Sequence, residues 1–225
     1  MEKLEWYRHD FSKDTENLII GFGSVRMFDP KKRGEGFEWD NLLKYKFNYL
    51  NFNTMFVGDV RNSWWHTEYS GLDGTGPHAL KRFLNEKIKE CGAKRTLYLG
   101  VSMGGYGALL FGCLTNATQV MSFSPQTLLT TTRRKKSLNN KFSGYDIDES
   151  LTDLKEVLLK YDTGLTNYKI WYGSKNTGDT KAAKRLDIFD NVSLHPVNSS
   201  CHTIISNLLK NGVFKSEVDR FFEEG

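Results

Sequence analysis

Gly100-Val101-Ser102-Met103-Gly104 lies directly after the β-rich run Arg95 to Leu99 and directly before a helix-forming run, Gly104 to Leu114. A serine on a tight turn between strand and helix has its hydroxyl lifted clear of the backbone, and flanking glycines let neighbouring chain approach it. The five-residue pattern alone is weak, because composition produces such a match in roughly one chain in ten of this length. Its strand-turn-helix setting makes it a candidate nucleophile elbow. The plain alternative is a glycine-rich turn that only packs a helix close to a sheet.

A serine hydroxyl attacks a carbonyl only when a base takes its proton. Five histidines are available. His202 follows the run Val192 to Val197 by a short loop and stands at the start of a helix-like segment, so it is expected at the carboxyl end of a late strand, on the same edge as Ser102. His195 lies inside that strand. His9, His66 and His78 fall in a polar segment, a loop and an early helix position, where surface roles are expected. The base in turn needs an acceptor that fixes its tautomer. After the run Tyr168 to Tyr172 the chain reads Ser174-Lys175-Asn176-Thr177-Gly178-Asp179. Asp179 is the nearest carboxylate, with helix N-capping as its alternative role. Asp187 is weaker, since the helix carries it away from the edge.

The order Ser102, Asp179, His202, each at the end of a successive strand, resembles the α/β-hydrolase superfamily over most of the chain, from about Leu18 onward. That resemblance implies an acyl-enzyme mechanism. It also implies an oxyanion hole built from the backbone N–H of Met103 and a second donor, Phe22 or Gly23, in the loop Gly21-Phe22-Gly23-Ser24. One departure stands out. Many members place the acid where this chain has Asn176, so either Asp179 serves from a longer loop or the third position is unusual.

Two further loops are expected at the same edge. In Asp59-Val60-Arg61-Asn62-Ser63-Trp64-Trp65-His66, adjacent tryptophans beside Arg61 and Asn62 suit a sugar or other polar ring, or else cover the core. Gln126, after the run Gln119 to Phe123, is placed near the pocket, with a turn as the alternative. The basic run Arg133 to Lys136 is read as a solvated face. Neither a phosphate-binding glycine loop nor a complete dinucleotide fingerprint occurs.

These residues need a frame to bring them together. Short β-rich runs (Leu18 to Phe22, Asn53 to Val57, Arg95 to Leu99, Gln119 to Phe123, Tyr168 to Tyr172, Val192 to Val197) alternate with helical spacing at Pro77 to Cys91, Gly104 to Leu114, Asp179 to Leu186, His202 to Leu209 and Lys215 to Phe222. Strands joined through helices need crossovers, which predicts an α/β fold: a mainly parallel sheet covered on both faces, with its ligand site at the carboxyl ends of the strands. Residues 128–166 break the rhythm. Their length and polarity predict a small cap or lid, including a helix from Leu151 to Tyr161, over an otherwise single domain spanning 1–225.

Composition narrows the classes. With 39% hydrophobic and 26% charged residues and only 4 Pro in 225, the chain is expected to fold rather than remain disordered. The net charge of +4 is small and partly local to residues 133–136, which argues against nucleic acid as a partner. Three cysteines at no metal-ligand spacing (Cys91, Cys113, Cys201) suggest neither a disulfide framework nor a metal site and fit a reducing cytoplasm. The charged start Met1-Glu2-Lys3 and the absence of a long apolar run predict no signal peptide and no membrane partner. Three glycosylation sequons carry no weight without secretion. The sequence thus leads to a serine hydrolase acting on an ester, either a small molecule or an acylated carbohydrate, without a cofactor. The alternatives are an acyltransferase with a sugar hydroxyl as acceptor, and a binding or assembly protein with an idle triad.

Overall fold

The computed structural model describes residues 6–24, 37–47, 52–129 and 147–223. Seven strands form one sheet in the order β1-β3-β2-β4-β5-β6-β7. They are β1 (Tyr7–Asp10), β2 (Asn17–Phe22), β3 (Asn53–Val57), β4 (Arg95–Val101), β5 (Gln119–Phe123), β6 (Asn167–Gly173) and β7 (Val192–Val197). β2 to β7 run parallel, and β1 pairs antiparallel with β3 at one edge. The helices are α1 (Glu38–Phe47), α2 (Gly76–Cys91), α3 (Met103–Thr115), α4 (Leu154–Tyr161), α5 (Thr177–Lys184), α6 (Ile205–Lys210) and α7 (Val213–Glu223).

Side chains alternate across a strand, so a continuous apolar run signals burial on both faces. Leu18-Ile19-Ile20 is such a run. Leu18 and Ile20 join a core with Tyr98, Val120 and Ile170 under α2, α3 and α4. Ile19 points the other way, to Leu97, Leu99, Met121 and Phe123 under α1, α6 and α7. Helix α3 is buried from Met103 to Leu114, as expected of a helix that is apolar all round. It lies against β4 and β5 with α2 and α4 beside it. The α/β expectation therefore holds, and the six predicted strands fall within two residues of the observed ends.

Two elements were not predicted. β1 (YRHD) is polar and half-exposed, and α1 has little apolar contrast beyond Trp39 and Leu43. Of the segment 128–166, the basic run and the rest of 130–146 lie outside the described residues. Its ends are tied down: Leu128 bridges Asp153, and Leu129 N–H donates to Thr152 O at 2.9 Å. The predicted helix from Leu151 is a short 3-10 turn, Glu149–Leu151, followed by α4, because Asp153 caps α4 through the Lys155 amide. Among the described residues no helix is long and apolar enough to cross a membrane.

Candidate active site

Ser102 is the single residue between β4 and α3, with φ 56° and ψ −112°. That conformation is costly for a residue with a Cβ and persists only where its surroundings enforce it. The enforcement is visible. Ser102 N–H donates to Phe123 O at 2.9 Å, and Ser102 O accepts Tyr106 N–H at 3.0 Å. The turn also packs directly onto the end of β2: a Cβ on Gly104 would lie 2.2 Å from Phe22 O.

The structure brings together the three residues selected from sequence. His202 Nε2 lies 2.9 Å from Ser102 Oγ, and His202 Nδ1 lies 2.8 and 3.0 Å from the two Asp179 carboxylate oxygens. An ionised carboxylate only accepts, so Nδ1 carries the proton and Nε2 is left to accept from the serine hydroxyl. Asp179 is almost fully buried, while the His202 side chain is 38% exposed. His202 precedes α6 rather than beginning it, because its loop carries it past β7 and the helix starts only at Ile205. Asp179 is not a helix N-cap. Asn176 takes that role, accepting the Gly178 and Asp179 amides, and leaves the Asp179 carboxylate for the imidazole.

The two halves expected of the oxyanion hole fare differently. Met103 N–H is the first amide of a thirteen-residue helix, where no intrahelical acceptor exists and the helix dipole favours negative charge. The donors expected on the other side, Phe22 and Gly23, both lie within the sheet ladder. Phe22 is the last residue of β2, in register with Val57 and Gly100 on its two sides, and Gly23 N–H extends the ladder by donating to Val57 O at 2.9 Å. The next amide, Ser24 N–H, donates to the Glu38 carboxylate at 3.2 Å. Sequence alone does not locate these partners, since they turn on where β2 stops pairing.

The loop after β3 is organised by a carboxylate. Asp59 is nearly fully buried and accepts Arg61 N–H at 3.2 Å, Trp65 N–H at 3.0 Å and the Ser63 hydroxyl, which receives the Thr67 hydroxyl in turn. Burial raises the Asp59 pKa above its ordinary value, and the donated hydrogen bonds oppose this. Trp65 is fully buried, so the expectation that it offers a stacking face is corrected: its ring meets Phe22 and Phe111, and its indole N–H donates to Met103 O at 3.1 Å. Trp64 is half-buried, edge-on to Tyr106. Arg61 is exposed, 3.9 Å from Glu68, and Gln126 is half-buried in the loop after β5.

His66 corrects another expectation, because it is buried rather than on the surface. Tyr106 OH donates to Leu151 O at 2.5 Å, so the 3.0 Å contact from His66 Nε2 must carry the histidine proton. Burial lowers the His66 pKa to about 4. His195 stacks on Trp171 and bonds Ser193 Oγ, His9 lies in β1, and His78 pairs with Asp148; none of these meets Ser102.

No protein-family model matches this sequence, and no curated protein matches it. Solved structures do. The capsule O-acetyltransferase of Neisseria meningitidis serogroup A superimposes with a TM-score of 0.70 at 19% identity, over 96% of this chain and 92% of that one. A chain of the glycosylation associate protein complex from Streptococcus agalactiae gives 0.65 at 16% identity, over 95% of this chain but 43% of that one. A lipase-esterase related protein from Clostridium acetobutylicum gives 0.56 at 14% identity, over 96% and 98%. At these identities the likeness establishes architecture: the chain has the α/β-hydrolase fold.

Proposed function

We propose that this α/β-hydrolase-fold protein is a serine acyl-transfer enzyme that works through an acyl-Ser102 intermediate. The observation that carries the reading is the continuous relay from Ser102 Oγ through His202 to the buried Asp179 carboxylate, with no contact longer than 3.0 Å. In the first half-reaction Ser102 Oγ attacks an acyl carbonyl as His202 Nε2 takes its proton. The carbonyl oxygen becomes an oxyanion against Met103 N–H. Collapse breaks the bond to the leaving group, which receives the proton from His202. In the second half-reaction an acceptor hydroxyl gives its proton to His202 and attacks the acyl carbon, restoring Ser102. Asp179 holds the imidazole and stabilises its charged form throughout.

For the second oxyanion donor we assign the Ser24 amide, because the Gly23 amide is tied into the sheet by Val57 O while the Ser24 amide donates to the exposed Glu38 side chain. The reading takes residues 1–225 as one domain, in which α4 packs beside α3 in the layer over the sheet and not as a cap. Ester hydrolysis, with water as acceptor, is the simplest outcome. Transfer to a sugar hydroxyl is favoured by a different observation: the superposition on the capsule O-acetyltransferase, at 0.70, exceeds that on the lipase-esterase related protein, at 0.56. Half-exposed Trp64, in the same loop as Arg61, gives such an acceptor an aromatic edge.

Two measurements test these readings in turn. A fluorophosphonate probe labels an activated serine in a formed oxyanion site, and the reading expects a single adduct mapping to Ser102. An unlabelled wild-type protein contradicts it. Adding oligosaccharides to a reaction on p-nitrophenyl acetate then separates the acceptors. Acylated sugar at the expense of free acetate supports transfer, and acetate alone supports hydrolysis.

A further inference from the structure

The loop between β3 and α2 contains three non-glycine residues with positive φ: Asn62 at 52°, Trp64 at 57° and Trp65 at 70°. Each such residue is strained and needs surroundings that hold it. The holding group is Asp59. Its two oxygens collect the Arg61 amide, the Ser63 hydroxyl and the Trp65 amide from inside the same loop. What this strained arrangement achieves is the delivery of one indole. Trp65 lies wholly inside, its ring edge-to-face with Phe22 at the end of β2, and its N–H on the carbonyl of Met103.

Those two contacts fall on the two sides of the expected oxyanion site. Met103 supplies one amide, and Phe22 leads into the loop that supplies the other. The helix has made room for the ring: a Cβ on Gly107, one turn beyond Met103, would lie 2.6 Å from the indole nitrogen. An indole that only fills the core brings a polar atom that demands an acceptor, and here that atom finds it on the first turn of α3.

We infer that Trp65 is a positioning residue for acyl transfer at Ser102: braced by Asp59, its indole pins the first turn of α3 to the end of β2 and keeps the Met103 amide aimed at the developing oxyanion. The inference rests on the acyl-transfer reading. Trp65 touches no reacting atom and acts through Met103. Preorganised donors are effective because they do not have to reorient during the reaction, so loosening the turn lowers the rate of the chemical step more than substrate binding.

The test is Trp65→Phe, which keeps a ring and removes the N–H. The expected result is a fall of roughly fivefold to tenfold in both kcat for p-nitrophenyl acetate and the rate of fluorophosphonate labelling, the weight of one hydrogen bond, with KM within about twofold. Asp59→Asn should lower the same two rates. If Trp65→Phe unfolds the protein, benzothienylalanine incorporated at position 65 replaces the N–H by sulfur at constant shape, and the same fall is expected. Unchanged kcat and labelling rate alongside a lowered melting temperature overturn the inference and make Trp65 a core residue. Wild-type protein that never labels at Ser102 defeats the acyl-transfer reading itself, an outcome distinct from a variant that labels as fast as wild type.

Discussion

Asn176 joins the backbone around Asp179 to the backbone around His202. Its side-chain oxygen accepts the Gly178 and Asp179 amides at 3.1 and 3.2 Å, and its amide nitrogen reaches Ser200 O at 3.5 Å, two residues before the histidine. Asn176 thus serves as a cap, and the carboxylate that meets His202 stands three residues later, in the first turn of α5. Capping and the contact with His202 are separated between two side chains.

That separation predicts different consequences for the two residues. Asp179→Asn should lower kcat by roughly 10³ or more with little loss of stability, since an amide at that site favours the wrong imidazole tautomer. Asn176→Ala should cost about 1 kcal/mol of stability through the lost cap and change kcat by less than tenfold. Steady-state rates and thermal melts on the pair check this. Equal kinetic effects would place the acid elsewhere.

Ser102 itself carries two expectations. Ser102→Ala should abolish phosphonate labelling and lower kcat by at least roughly 10³ with the melting temperature nearly unchanged, because the lost hydroxyl is at a turn and not in the core. Ser102→Gly should be equally inactive yet more stable by about 1 kcal/mol, since glycine removes the Cβ that makes φ 56° costly. A glycine variant no more stable than the alanine variant would show that the turn holds no strain.

Much of this site is legible in the sequence, for physical reasons that also mark where legibility ends. Ser102, Asp179 and His202 each follow a short apolar run, and a parallel sheet delivers the carboxyl ends of such runs to one edge. Local signals suffice there. Trp65 does not yield to the same reasoning: Trp64 and Trp65 are neighbours in a polar loop, and only the Asp59 hydrogen bonds decide which ring turns inward. His66 is hidden for the same cause. Which amide after β2 is left outside the ladder depends on whether the ladder ends at Phe22 or one residue later, a difference of one amide that hydrophobic pattern does not register. β1 and α1 escaped because their exposed polar residues blur the periodicity on which prediction relies.

The buried His66 gives a pH prediction. Folding lowers its pKa from 6.5 to about 4, so between those values the unfolded chain binds a proton that the folded chain refuses. Stability should therefore fall as pH drops through this window, by about 3 kcal/mol at most. His66→Gln can still donate to Tyr106 OH but does not titrate. Urea unfolding at pH 7, 6, 5 and about 4 should show the difference in stability between wild type and variant shifting in favour of the variant toward acid. A difference that is flat with pH would mean that His66 binds its proton equally in both states.

Trp64 tests the sugar acceptor. Trp64→Ala should impair transfer to an oligosaccharide while leaving p-nitrophenyl acetate hydrolysis within a few-fold, because the small ester needs only the relay and the oxyanion donors. Equal losses on both reactions, with a lowered melting temperature, would make the half-buried ring a support for Tyr106 and not an acceptor contact.

The central claim is a covalent acyl-Ser102 intermediate, and rapid acid quenching of the protein during turnover of p-nitrophenyl acetate, followed by intact-mass and peptide mass spectrometry, tests it most directly. The account predicts a species heavier by one acetyl group, located on the peptide containing Ser102, absent from Ser102→Ala and accumulating in the first turnover. Turnover at the wild-type rate by Ser102→Ala, or an acetyl group found only on another residue, would contradict it.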